Sequence, residues 1–231
     1  MKRSPIILKL GERYEKNPIL RGLIQLIPFG LGSGVDVALS TRLQKIREER
    51  TRTFFDELAE GRILLQPELL ESEDFLHCFF ATMEATLNTR RREKIRLFAR
   101  LLKASTLPGS FSGTDEYEEH LDTLDQLSFR EVSILVTLEK YESRFPKSDT
   151  ENDLHRANRF WNQFTTELVE KLQIPKEEID AVLTRLNRTG SYETFIGSYW
   201  EYTGGKGKLT PLYFRLKRLI DAGSGSKPKA H

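Results

Sequence analysis

Three glycine-rich stretches are where this sequence could cradle a phosphate or carry a nucleophile, and each lacks a residue that the chemistry needs. In Gly30-Leu31-Gly32-Ser33-Gly34 the third glycine of a dinucleotide fingerprint falls on Val35 or Val37, and no acidic ribose binder follows at a strand end. In Gly205-Lys206-Gly207-Lys208 the next residue is Leu209, where a phosphate loop requires a Ser or Thr hydroxyl for its magnesium ion. Gly109-Ser110-Phe111-Ser112-Gly113 puts Phe111 where a nucleophile elbow carries serine. His77, His120, His155 and His231 are scattered, and Cys78 is the single cysteine, so no His or Cys pair stands at metal-ligand spacing. These absences point to a non-enzymatic protein with no cofactor, no metal and no evident small-molecule substrate.

What remains is charge. Arg90, Arg91, Arg92, Lys94, Arg96, Arg100 and Lys103 stand against the lone Glu93, a local balance of +6. Soon afterwards Asp115, Glu116, Glu118, Glu119, Asp122 and Asp125 give −6 with no Lys or Arg among them. The turn-rich loop Leu107 to Gly113 can fold the acidic run back along the basic one. Two readings stay open: the runs neutralise each other, or the basic patch from Arg90 to Arg100 meets a phosphate-bearing or protein partner.

The elements that must position these groups are mostly helices. The chain of 231 residues is long enough for one large domain or two small ones, and 36 Lys and Arg against 34 Asp and Glu leave only +2, too little for a wholesale polyanion coat. One cysteine excludes an internal disulfide and suits a reducing, cytoplasmic compartment. Near the N-terminus, Lys9, Glu12 and Arg13 interrupt the apolar run before an export signal can form. Gly22 to Val35 carries no charge over 14 residues, which is short of the roughly 20 that span a bilayer. Pro28 and Gly30, Gly32 and Gly34 make it a hinge between two short segments. The hinge packs on the helical body or, within residues 17–39, touches a membrane surface. From Asp36 to about Gly61 the spacing of Leu39, Leu43, Ile46, Phe54, Phe55 and Leu58 predicts a long amphipathic helix. A second starts at Ser72 to Asp74 and is expected to bury Phe75, Leu76, Phe79, Phe80, Met83 and Leu87.

In the last third several boundary signals agree. Ser128-Phe129-Arg130-Glu131 is a capping box, and its helix stops before Pro146. Leu154 to Leu172 reads as helix with a break near Thr165 and Thr166, and Pro175 opens another that ends at Gly190. Tyr192 to Tyr202 and the turn Gly204-Gly205-Lys206-Gly207 signal a hairpin, and Thr210-Pro211 caps a final helix. Val182 to Gly190, followed by Lys208-Leu209-Thr210-Pro211, resembles the ends of bacterial winged-helix domains, over roughly Leu127 to Asp221. The resemblance implies that Lys176, Thr184, Arg185 and Arg188 on the third helix and Lys206 and Lys208 on the wing face nucleic acid or another partner. Against duplex DNA stand Glu177, Glu178 and Asp180 at the start of that helix. Ser128 to Asp221 also holds fifteen Lys and Arg against fourteen Asp and Glu, a net +1.

Upstream, Phe54-Phe55-Asp56-Glu57-Leu58, Lys94 to Leu102 and Leu127 to Glu131 follow the order of a broad group of bacterial helical proteins related to the alpha-type phage abortive-infection group. That resemblance spans roughly Ile19 to Glu142, implies an anti-phage context and transfers no active-site residue. The expectation is a mainly α protein. Residues 1–126 form a helical body, 127–221 a winged helix with a small β-hairpin wing, and 222–231 a disordered tail. It acts as an interaction or regulatory module with a protein partner or a second copy of itself. A DNA-binding regulator and a membrane-surface effector are the alternatives.

Overall fold

The computed structural model describes residues 5–27, 37–60, 65–195 and 205–225, with the side chains of residues 5, 6 and 37–41 outside the description. The chain forms two compact units: Met1–Asp122 together with Arg218–His231, and Thr123–Lys217. Both are helical, and the one sheet among the described residues is a two-stranded antiparallel ribbon. No described helix is long and apolar enough to cross a membrane. The hinge expected at Pro28 to Gly34, the middle of the hairpin (196–204) and most of the expected tail (226–231) lie outside the described residues.

The first unit begins with two short helices, α1 (Pro5–Arg13) and α2 (Pro18–Leu26). Pro18 supplies a pre-set φ at the start of α2, and Asn17 caps it by accepting the Leu20 N–H at 3.2 Å. One face of α2 buries Ile19, Leu20, Leu23 and Ile24. The long helix α3 (Val37–Ala59) enters the core through Thr51, Phe54, Phe55 and Leu58, whereas from Arg42 to Arg50 no residue is buried. After a 3-10 turn at Pro67–Glu71, Ser72 caps α4 (Glu73–Asn88), which brings Phe79 to Phe54 and Phe55. Then α5 (Arg92–Ser105) buries Ile95, Phe98, Leu101 and Leu102. The acidic stretch is α6 (Thr114–Gln126), whose inner face buries Tyr117, His120, Leu121 and Leu124.

In the second unit the capping box forms as the spacing requires. Ser128 Oγ accepts the Glu131 N–H at 3.2 Å and Glu131 Oε2 accepts the Ser128 N–H at 2.7 Å, opening α7 (Phe129–Arg144). Helix α8 (Asp153–Leu172) is continuous, against the expected break at Thr165 and Thr166. The Thr165 hydroxyl donates back to the Asn162 carbonyl at 3.1 Å, so it serves this helix rather than capping a new one. Gln173 then turns left-handed (φ 53°) and closes α8. Pro175 precedes a 3-10 turn, Lys176–Glu178, and α9 (Ile179–Asn187) starts only after it. Strands β1 (Tyr192–Thr194) and β2 (Gly207–Leu209) pair with Tyr192 opposite Leu209 and Thr194 opposite Gly207. Thr210 caps α10 (Pro211–Gly223) by accepting the Tyr213 N–H at 3.3 Å. The core joins Leu135 and Leu138 of α7, Phe160, Phe164 and Leu168 of α8, Leu183 and Leu186 of α9, and the Tyr192–Leu209 pair.

Candidate interaction surfaces

Of the six residues of the second unit set out for a nucleic acid or a partner, the hairpin pair turns toward its own fold. Lys208 Nζ lies 2.8 Å from Asp153 Oδ2 and 3.8 Å from Glu193 Oε2, and Lys206 Nζ donates to Asn158 Oδ1 at 2.5 Å. The Lys208 and Lys147 ammoniums hydrogen-bond Asp153 and hold its carboxyl below the usual range, while Asp153 raises Lys208. On α9, Arg185 Nε donates to Glu131 Oε1 at 2.8 Å. Burial pushes the Glu131 carboxyl up, but the bonds from Ser128 and Arg185 outweigh it and the net shift is downward. The side chains of Lys176, Thr184 and Arg188 are exposed and make no hydrogen bond or ion pair among the described residues.

The outward surface of α9 and the turn before it is therefore of mixed sign: Glu177, Glu178 and Asp180 at one end, Arg185 and Arg188 at the other, all exposed. Asp180 has a further constraint. A Cβ on Gly205 (φ +84°) would stand 2.6 Å from Asp180 Oδ1, so the returning strand begins hard against the first turn of α9. On its other side the hairpin is held by a group the charge pattern does not advertise. Glu142 Oε1 accepts the Leu209 N–H at 3.0 Å, and Glu142 Oε2 lies 2.7 Å from Arg156 Nη2. The carboxylate thus occupies an edge donor of the ribbon that another strand would otherwise use. Burial raises the Glu142 carboxyl despite both partners.

In the first unit three arginines of the basic run find carboxylates on α3. Arg92 pairs with Glu49, and Arg100 Nε and Arg96 Nε lie 2.6 and 3.7 Å from the buried Glu57 carboxylate. Lys94 and Lys103 are themselves buried. Lys94 Nζ sits 5.4 Å from the centre of the Phe98 ring, and Lys103 Nζ donates to the carbonyls of Glu57 and Glu60, completing the open end of α3. Arg90 and Arg91 are exposed with no ion pair among the described residues. A cleft of about 440 Å³ runs along α3 and is lined by four arginines and four carboxylates. With Arg13 bound twice to Asp56 at 2.9 and 3.0 Å and Arg92 to Glu49, it presents no net charge to an anion.

Glu57 and Glu142, which sequence reasoning passed over, and Lys103, which it counted in the basic run, share one signal: each falls in an apolar register. Glu142 follows Leu135 and Leu138 at i+7 and i+4, and Lys103 follows Ala99 at i+4. A charge in such a register has to be paired inside the fold. No family model, curated protein or solved structure matches the chain.

Proposed function

We propose that the protein is a non-enzymatic interaction module whose second unit is a winged helix turned to protein rather than to duplex DNA. The reading is carried by the fate of the cations a duplex would need. Lys206, Lys208 and Arg185 are bound to Asn158, to Asp153 with Glu193, and to Glu131. Lys176 is left beside Glu177, Glu178 and Asp180, with Arg188 at the far end of α9, and carboxylates at the start of the third helix repel phosphate. A face with both signs suits a polypeptide of complementary pattern, for which charge placement sets register and partner choice. The upstream likeness to the abortive-infection group supplies the setting, a bacterial response to phage.

Titrating a labelled random duplex with the protein between about 50 and 200 mM salt tests this, because each neutralised phosphate contributes about −0.9 to the slope of log K against log salt. No saturable binding is expected at the low-salt end. A slope steeper than about −3 that disappears in K176E/R188E would restore the DNA reading.

A further inference from the structure

The first unit carries two opposite charge concentrations that are fixed at different places on the same helix. One is basic. Arg47 on α3, one turn from Arg50, and Arg90 and Arg91 at the α4–α5 corner are exposed, and none has an ion pair among the described residues. Two contacts draw these segments together: Arg50 donates to the Leu87 carbonyl at the end of α4, and Arg92 pairs with Glu49. The neighbouring carboxylates Glu48 and Glu49 are engaged by Arg52 and Arg92, which leaves Glu93 against the three cations.

The other concentration is acidic. Asp115, Glu118, Glu119 and Asp122 recur at i, i+3, i+4 and i+7 and form one stripe along α6, opposite its buried face of Tyr117, His120 and Leu121. This stripe is anchored on α4 at two points, Glu118 Oε1 lying 2.6 Å from His77 Nε2 in its first turns and the Tyr117 hydroxyl 2.5 Å from Thr82 Oγ1 at its middle. From His77 to Leu87 is ten residues of helix, about 15 Å of rise. The basic corner and the acidic stripe are thus held apart by the rigid length of α4.

From this geometry we infer that the first unit is self-complementary, and that the basic corner formed by Arg47, Arg90 and Arg91 docks the acidic α6 stripe of a second copy of the chain. A polyanion fits the corner less well, because the same unit carries a carboxylate stripe that repels it, and the chain as a whole has only +2 to attract it. A second copy brings an acidic helix whose exposed Asp115 and Asp122 stand two turns apart and are opposite in sign to the cations they would meet. The inference concerns the first unit and does not rest on the reading of the second.

Sedimentation of the full chain, freed of nucleic acid, tests it at about 50 and 500 mM salt. The expected result is concentration-dependent association at low salt that weakens at least about tenfold at high salt, since a contact between exposed charges is screened within a Debye length of about 10 Å or less. R90E/R91E and D115K/D122K should each sediment as monomers, and an equimolar mixture of the two should associate again, because each supplies the surface the other has lost. Circular dichroism and thermal melting establish that the variants fold. If a reversed pair does not, R90Q/R91Q and D115N/D122N replace them and should each weaken association. A monomer at all concentrations in low salt overturns the inference, as does association that neither pair of substitutions alters. Binding of heparin or random duplex that is lost in R90E/R91E, with the mass remaining monomeric, assigns the corner to a polyanion instead and also overturns it.

Discussion

Three donors converge on Glu167 of α8: Lys171 Nζ at 2.9 Å, Lys140 Nζ at 3.0 Å and the Tyr141 hydroxyl at 2.8 Å. Together they hold its carboxyl at about 2. A carboxyl depressed in the fold contributes stability above its unfolded value, about 4.3, and loses that contribution as pH falls toward the folded value. The melting temperature of the second unit is therefore expected to fall between about pH 4.5 and 2, while the buried Glu142, whose carboxyl is raised, acts in the opposite sense. E167Q should flatten part of that fall, with Glu131 and Asp153, also lowered, accounting for more of it. An E167Q profile parallel to the parent's would remove Glu167 from this role. Both lysines are more than half exposed, so molar salt should shrink the difference. The sequence shows Lys171 as the i+4 partner of Glu167, but Lys140 lies on another helix, and nothing in one sequence aligns α7 with α8. Cap residues read well for the opposite reason: Ser128 and Glu131 find each other three residues apart, whereas Glu142 needs Leu209 and Arg156 from two other elements.

At the scale of elements, the hairpin tolerates only glycine at its returning strand. A Cβ at Gly207 would lie 2.3 Å from the Glu193 carbonyl oxygen and 2.4 Å from the ring of Tyr192, a fully buried side chain of the core. G207A is expected to destabilise the second unit by more than about 2 kcal/mol, with G113A, which has open space around it, staying within about 0.5 kcal/mol. Urea unfolding followed by tryptophan fluorescence, with Trp161 buried in the second unit's core cluster, measures the first, and helix content by circular dichroism measures both. Equal midpoints for the two variants would show that the strands separate without consequence. The sequence marks Gly207 only as one glycine of a turn. Its steric role follows from the register that puts Thr194 opposite it. Element order in this region was legible because Ser128, Pro146, Pro175, Gly190 and Pro211 punctuate it. The 3-10 turn ahead of α9 was not, since a proline at a first helical position and one preceding a 3-10 turn leave the same trace in sequence.

The whole molecule has an organisation that linear reading from Met1 does not suggest. The stretch after Lys217 belongs with the first unit. Gly223, at the end of α10, is packed so closely on α5 that a Cβ there would stand 1.8 Å from the Arg100 carbonyl oxygen. If the chain stops at Lys217, the amides of α5 following Arg100 should exchange with solvent at least about tenfold faster, while those in the middle of α8 keep their protection. Unchanged exchange in α5 would mean that this contact carries no stability. One-dimensional periodicity cannot reveal such a return, because Leu212, Leu216 and Leu219 follow a single helical rhythm across the division.

That return has a bearing on synthesis. A ribosome makes the body of the first unit before Thr123–Lys217 and the piece that seats against Arg100 after it, so the first unit cannot close until the inserted one has been synthesised. Over that interval the uncovered backbone of α5 is the exposed ground on which a nascent chain would meet a chaperone.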